Sequence, residues 1–305
     1  MKLSIITINR NNADGLHQTL ASVASQTYHN IEHIIIDGAS TDGSVEVIKE
    51  YARKVESQES RVKSVTWISE PDNGIYNAMN KGIEIALGRR VVDADHTSAS
   101  NSLNTHPLNE SLCDYIQILN SGDVLATPDV TERMMKELEN NNYPELLYGN
   151  SVDVLKDGRR ALHGPKIKYS LLTLYRGTYP HEASYYRTEL FSEDRYGLYD
   201  ESLRIASDWK WFLMAIGMGD VKPIYVNIDV VVFDTEGISS INKALSYAER
   251  RQVLEEILPP AILADYDMYS FEVEQMQRLH RYHLYGLIYC IERILFKIEK
   301  WNILK

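Results

Sequence analysis

Apolar positions alternate between two spacings over the first third of the chain. Short β-branched runs at 3–8, 31–36, 65–68 and 115–119 read as strands. In the second of these, Ile34-Ile35-Ile36 is apolar at consecutive positions, as in a parallel strand covered on both faces. Between the strands the spacing becomes helical. Leu16, Leu20 and Val23 follow a candidate cap at Asp14, Val45, Val47 and Ile48 mark a short helix over 44–51, and Ile75, Met79, Ile83 and Leu87 recur every four residues. Repeated βα units with short links predict an α/β chain with a parallel, doubly wound sheet.

The alternation then loosens. Residues 129–140 read as a helix opened by Pro128 and Asp129, 146–155 and 221–233 as strands, and 209–216 as a helix stopped by Gly217. From about residue 243 the pattern is helical and charged, which places a boundary near 240. Over 284–301, Leu284, Leu287, Ile288, Ile291, Leu295 and Ile298 share one helical face, and Glu292, Arg293, Lys297 and Lys300 the other. Such a stripe fits packing on the rest of the chain, a partner subunit or a membrane surface. Between Gly88 and Asp114 a run rich in Ser, Asn and Thr has no period and reads as a long surface loop.

Composition narrows the classes. The net charge of −11 argues against a general nucleic-acid surface, though not against a local phosphate pocket. Cys113 and Cys290 are too few and too far apart for a disulfide framework or zinc site, and a reducing cytoplasm fits them. The LSIITI run after Lys2 is short for a signal segment and reads as the first strand, and no apolar run is long enough to span a membrane. Twenty tyrosines against five phenylalanines suit sugar stacking and amphipathic surfaces alike.

Candidate chemistry gathers where strands end, because ligands of open α/β sheets sit beyond the carboxyl ends of the strands. Asp37 closes the second strand and is followed by small residues, Gly38, Ala39 and Ser40. It reads equally as a ligand contact and as a cap of loop amides. Asp72 or Asn73 stands before the helix at 75, where Asn77, Asn80 and Lys81 are unusual interior residues. Lys81 suits a phosphate or plain solvent. The fourth strand runs into Asn120-Ser-Gly-Asp123, whose oxygens suit a hard cation that also binds substrate phosphates. Parallel strands bring Asp37, Asp72 and Asp123 to one sheet edge.

The segments SIITINRN, NIEHIIIDGASTDGS, ISEPDNGIYNAMNKGI and DYIQILNSGD, in that order, resemble family 2 glycosyltransferases, more narrowly those of bacterial surface-polysaccharide clusters. The resemblance covers about residues 3–240 and implies a GT-A fold, with a mostly parallel sheet flanked by helices. A nucleotide-binding half (about 1–125) and an acceptor half (about 126–240) would precede a helical extension (241–305).

That resemblance also implies roles. Thr7 and Asn9 lie near the nucleotide, Asp37 contacts the base, often uracil, and Asp72 and Lys81 approach the ribose and diphosphate. Asn120 and Asp123 take the place of the Asp-X-Asp metal motif and hold Mg²⁺ or Mn²⁺, more weakly than two acids would. Pro180-His181-Glu182-Ala183 corresponds to an acceptor-side segment, making His181 and Glu182 acceptor contacts. Asp208 corresponds to the catalytic base, or caps a helix beginning at Trp209. Residues 233–239 correspond to a loop that closes over the acceptor.

Two features depart from the family pattern. The 89–113 loop interrupts a usually short link, and Gly122 replaces a frequent acid. Asp93-Ala-Asp95 inside that loop is not the metal motif, since only Val91 and Val92 precede it. The expected protein is an inverting, metal-dependent transferase, cytoplasmic or peripheral at the inner membrane face. Its donor is a nucleotide-sugar, a UDP-sugar first, and its acceptor a glycan or lipid-linked glycan. Membrane contact or a homodimer through the C-terminal helices is open. A dinucleotide enzyme is disfavoured because NRNNADG, not G-x-G-x-x-G, follows the first strand. The alternative of another class is a catalytically silent homologue that binds glycan or nucleotide, or acts as a scaffold.

Overall fold

The computed structural model describes residues 1–92, 113–154, 160–163, 169–233 and 242–303. Asp93-Ala-Asp95, most of the 89–113 loop and residues 234–239 of the closing loop lie outside them. The first half runs β1 (Leu3–Asn9), α1 (Ala13–Ala24), β2 (Ile31–Asp37), α2 (Ser44–Glu56), β3 (Ser64–Ser69), α3 (Ile75–Ala86), β4 (Tyr115–Ile118) and β5 (Val124–Leu125). The second runs α4 (Val130–Asn140), β6 (Leu146–Val154), β7 (Arg160–His163), α5 (Leu171–Arg176), β8 (Ser184–Arg187), α6 (Ser207–Phe212) and β9 (Ile224–Phe233). Helices α7 (Lys243–Ile257), α8 (Pro260–Arg281) and α9 (Tyr285–Ile303) follow.

One sheet contains all nine described strands, in the order β3-β2-β1-β4-β8-β6-β9-β5, with β7 paired to β6. β1 pairs in parallel with β2 and β4, and β2 with β3, as the βα alternation predicts. Beyond β4 the sheet is mixed. β8 runs antiparallel to β4 and β6, β5 is antiparallel to β9, and β6 is parallel to β9. The uninterrupted parallel run therefore belongs to the first half, and in the second half β6 and β9 are the one parallel pair among the described strands.

Every position of β1 and β2 is buried, polar ones included. Burial forces those polar groups to pair. Thr7 Oγ1 meets His33 Nε2 at 2.9 Å, and His33 Nδ1 meets the Tyr51 hydroxyl at 2.9 Å. Four tyrosines of the second half serve packing. Tyr148, Tyr179, Tyr185 and Tyr186 are fully buried. Tyr186 lies 5.5–5.9 Å, ring to ring, from Phe191, Trp211 and Phe212.

Local helix starts differ from the sequence expectations. Asn12, not Asp14, caps α1 by accepting from Gly15 N at 3.1 Å. Helix α6 starts at Ser207 with Ala206 as its cap residue, so Asp208 is inside the first turn and caps nothing at Trp209. A π-helical turn, Leu213–Met218, continues it.

The chain divides into two compact units, Met1–Arg250 and Arg251–Lys305. The division falls within α7, ten residues beyond the break expected from composition. In the second unit Arg251 Nη1 donates to both oxygens of Asp267 at 2.9 Å, and Arg251 Nε bonds Glu255. The stripe residues Leu284, Leu287, Ile291 and Leu295 are exposed. No helix among the described residues is long and apolar enough to cross a membrane.

Candidate active site

A cavity of about 830 Å³ opens at the carboxyl ends of β1 and β4. Its wall combines strand ends (Asn9, Asn120, Asp123), the start of α3 (Asp72, Tyr76), the segment before β8 (His181, Glu182) and the start of α6 (Asp208). Elements distant in sequence thus bring seven of the predicted site residues to one space: Asn9, Asp72, Asn120, Asp123, His181, Glu182 and Asp208.

The other three predicted residues face elsewhere. Thr7 is fully buried and engaged with His33. Lys81 bonds the Pro71 carbonyl at 2.9 Å and pairs with Glu70 at 2.8 Å. Asp37 is fully buried, and both its oxygens are occupied: Oδ1 accepts from Asn9 Nδ2 (2.8 Å) and Ser40 Oγ (2.6 Å), Oδ2 from Ser40 N (2.9 Å) and Ser69 Oγ (2.7 Å). It ties together the ends of β1, β2 and β3 through three side chains and one loop amide, Ser40 N.

Asp72 lies where the chain crosses Gly38. A Cβ on Gly38 would stand 2.2 Å from Asp72 Oδ2, so the glycine is what lets this carboxylate pass. Asp72 Oδ1 accepts from Gly74 N at 3.1 Å and faces the Arg10 guanidinium at 3.6 Å. At the next strand end, Gly122 has φ +107, a left-handed turn that an acid in its place would strain. That turn returns Asp123 to the cavity wall, closed by Asp123 N donating to Asn120 O at 3.1 Å.

Asp208 is bonded from a distant element. The Tyr76 hydroxyl, 2.6 Å from Ile205 O, donates to Asp208 Oδ1 at 2.7 Å. Burial, reinforced by the charge of Asp208, raises the Tyr76 phenol well above its ordinary pKa and keeps it a donor. His181 Nδ1 lies 3.2 Å from Glu182 Oε2 and 3.6 Å from Asp208 Oδ2, which assigns the ring proton to Nδ1. Nε2 then accepts from Asn120 Nδ2 at 3.5 Å. His181 thereby lies between Asp208 and the Asn120–Asp123 turn.

Asn120 Oδ1 is buried without a hydrogen-bond partner among the described residues. An orphaned amide oxygen beside a carboxylate fits a hard cation completed by substrate phosphates. No group of three His, Cys, Asp or Glu side chains gathers for a metal among the described residues.

Four residues of this region went unassigned in the sequence. Tyr76 lies within the quoted motif, yet its hydroxyl role depends on a partner 132 positions away. Arg204, within the stretch 198–208 that leads to Asp208, and Arg250, in a segment without a motif, also line the cavity. Glu249 accepts three backbone amides just before α6, those of Arg204, Ile205 and Ala206, at 2.8, 2.9 and 3.0 Å. Asn80 in α3 does comparable work, donating to Tyr199 O at 2.8 Å and accepting from Tyr199 N at 2.9 Å.

The sequence model described as glycosyl transferase family 2 matches residues 4–191. A Mycobacterium tuberculosis protein described as an uncharacterized glycosyltransferase is 31% identical over 241 residues, covering 78% of this chain and 77% of its own length. A PGL/p-HBAD biosynthesis glycosyltransferase of Mycobacterium bovis is 23% identical over 77% of each chain. Among solved structures, Staphylococcus aureus TarS 1-349 with UDP-GlcNAc aligns at TM-score 0.54 and 15% identity, over 76% of this chain and 58% of that one. This chain spans 42% of the longer TarS structure. A mannosyltransferase from Pyrobaculum calidifontis, in complex with GDP-Man and Mn²⁺, aligns at TM-score 0.56 and 14% identity, over 88% and 69%. At these identities the structural likeness establishes a shared GT-A fold.

Proposed function

The chain belongs to glycosyl transferase family 2, and from that premise we propose that it moves a sugar with inversion from a UDP-sugar to a glycan or lipid-linked acceptor of a surface polysaccharide. The observation carrying this reading is the one cavity lined by Asp208, the Asn120–Asp123 turn and the His181 that lies between them. A UDP donor is supported by the fold shared with the UDP-GlcNAc complex, and the GDP-Man complex makes GDP-sugars the first rival to test.

In the proposed reaction the acceptor hydroxyl oxygen attacks the anomeric carbon as the bond from that carbon to the diphosphate oxygen breaks. Asp208 takes the hydroxyl proton, and the nucleoside diphosphate leaves with the bonding pair. Tyr76 holds the carboxylate in place for that transfer, with His181 beside it. Asp123 and Asn120 Oδ1 would hold Mg²⁺ or Mn²⁺, whose charge would offset that of the departing diphosphate.

Nucleotide release from a panel of UDP-, GDP- and dTDP-sugars, with and without Mn²⁺ and with envelope extract as acceptor, tests the reading. Metal-dependent release from one donor is expected. Neither release nor nucleotide binding across the panel would favour the silent, glycan-binding homologue.

A further inference from the structure

Arg250 ends the first compact unit and lines the cavity beside Asp208. Its guanidinium lies 5.1 Å from the centre of the Trp209 ring. That indole is fully buried and fixed by its own bond, Nε1 to Leu174 O at 2.7 Å. Arg250 Nε is buried and has no hydrogen-bond partner among the described residues. The acids near it are otherwise engaged. Asp208 receives Tyr76 and faces His181, and Glu249 holds the amides of residues 204–206. Burial draws the guanidinium pKa down, while Asp208, Tyr247 and Tyr76 pull it up. Arginine nonetheless stays charged in proteins.

A partly buried cation without an ion pair is costly. Here its position is built rather than incidental. Glu249, the preceding residue, pins this turn of α7 to the segment that leads into Asp208. Two further cations, Arg204 in that segment and Lys243 two turns earlier on the same face of α7, line the same cavity. They gather on a chain whose net charge is −11. We propose that Arg250, flanked by Arg204 and Lys243, forms an anion subsite that binds a phosphoryl or carboxylate group next to Asp208. The proposal rests on the transferase reading for the identity of its ligand. Two sources share the chemistry: the diphosphate of the donor and an acidic group on the acceptor. A planar guanidinium suits either, because its paired N–H donors match two oxygens of one group.

Titration calorimetry on the full chain, comparing wild type, Arg250→Gln and Arg250→Lys, tests this. Inorganic pyrophosphate probes the diphosphate source without involving a base. Inorganic phosphate, added to protein saturated with UDP, probes the acceptor source. The proposal expects one probe to bind at least about tenfold more weakly to Arg250→Gln, with Arg250→Lys between. Loss with pyrophosphate assigns the donor, and loss confined to the UDP-saturated protein assigns the acceptor. Unchanged affinity for both probes in either folded variant overturns the subsite. Arg250→Lys keeps the charge and the stem, so it serves should Arg250→Gln fail to fold. UDP binding by the wild type stands apart. If wild type binds none of the nucleotides while Arg250-dependent pyrophosphate binding persists, the donor reading fails and the subsite stands. If UDP binds and neither probe depends on Arg250, the reverse holds.

Discussion

What separates the carboxylates of this sheet edge is which groups already bond them. Asp37 accepts four hydrogen bonds from its own loop and strands and is sealed from the cavity. Its account is mechanical. Replacing it with Asn puts an NH₂ opposite hydroxyl and amide donors, and denaturant unfolding should show a loss of about 1–3 kcal/mol. Asp208 has one strong donor, Tyr76, and the rest of its carboxylate turns toward His181 and the cavity. Tyr76→Phe removes that donor without changing ring volume. A hydrogen bond to a charged group is worth about 1.5–3 kcal/mol, so kcat should fall at least about tenfold, and the fold, losing the same bond, should melt a few degrees lower. Steady-state nucleotide release and a thermal melt check both halves.

Among the elements, regular pieces were legible in the sequence and their partners were not. The period of four in 75–87 foretold α3, and the Ile triplet foretold β2. The asparagines of α3 were visible as anomalies. Their explanation, the backbone of Tyr199 and the carboxylate of Glu201, lies about 120 residues later. Strand β8, the contact that turns the sheet from parallel to mixed, is four residues of Ser, Tyr, Tyr and Arg and gave no usable period. Of the site, the strand-end residues Asn9, Asp72, Asn120 and Asp123 were readable because the topology sends parallel strand ends to one edge. Lys81 and Thr7 sit on those same elements, but their side chains turn to Glu70 and His33, a direction no spacing encodes. The Gly38 crossing is similarly invisible in sequence and testable in structure. Gly38→Ala must displace the Asp72 carboxylate, an adjustable side-chain end, so we expect nucleotide affinity to drop several-fold by calorimetry, with stability nearly kept.

Over the molecule as a whole, the buried imidazole of His33 links stability to pH. Burial holds its pKa down to about 3, against an ordinary 6.5. Between those values the unfolded chain binds a proton that the folded chain refuses. Its contribution is therefore fully present above pH 6.5 and is lost as pH falls toward 3, at a slope approaching ~1.4 kcal/mol per pH unit. Urea unfolding at pH 7, 6 and 5 should show this decline, and His33→Gln, with nothing to titrate there, should decline less over the same range. A variant that declines as steeply as wild type would remove His33 from the explanation.

The most direct test of the central claim is the single-residue exchange Asp208→Asn, assayed for both nucleotide release and nucleotide binding. The substitution keeps shape and the bond from Tyr76 but removes the proton acceptor. Turnover is expected to fall by at least about 100-fold while nucleotide affinity stays within a few-fold of wild type. Turnover near the wild-type rate, in a folded variant that still binds nucleotide, would contradict the claim.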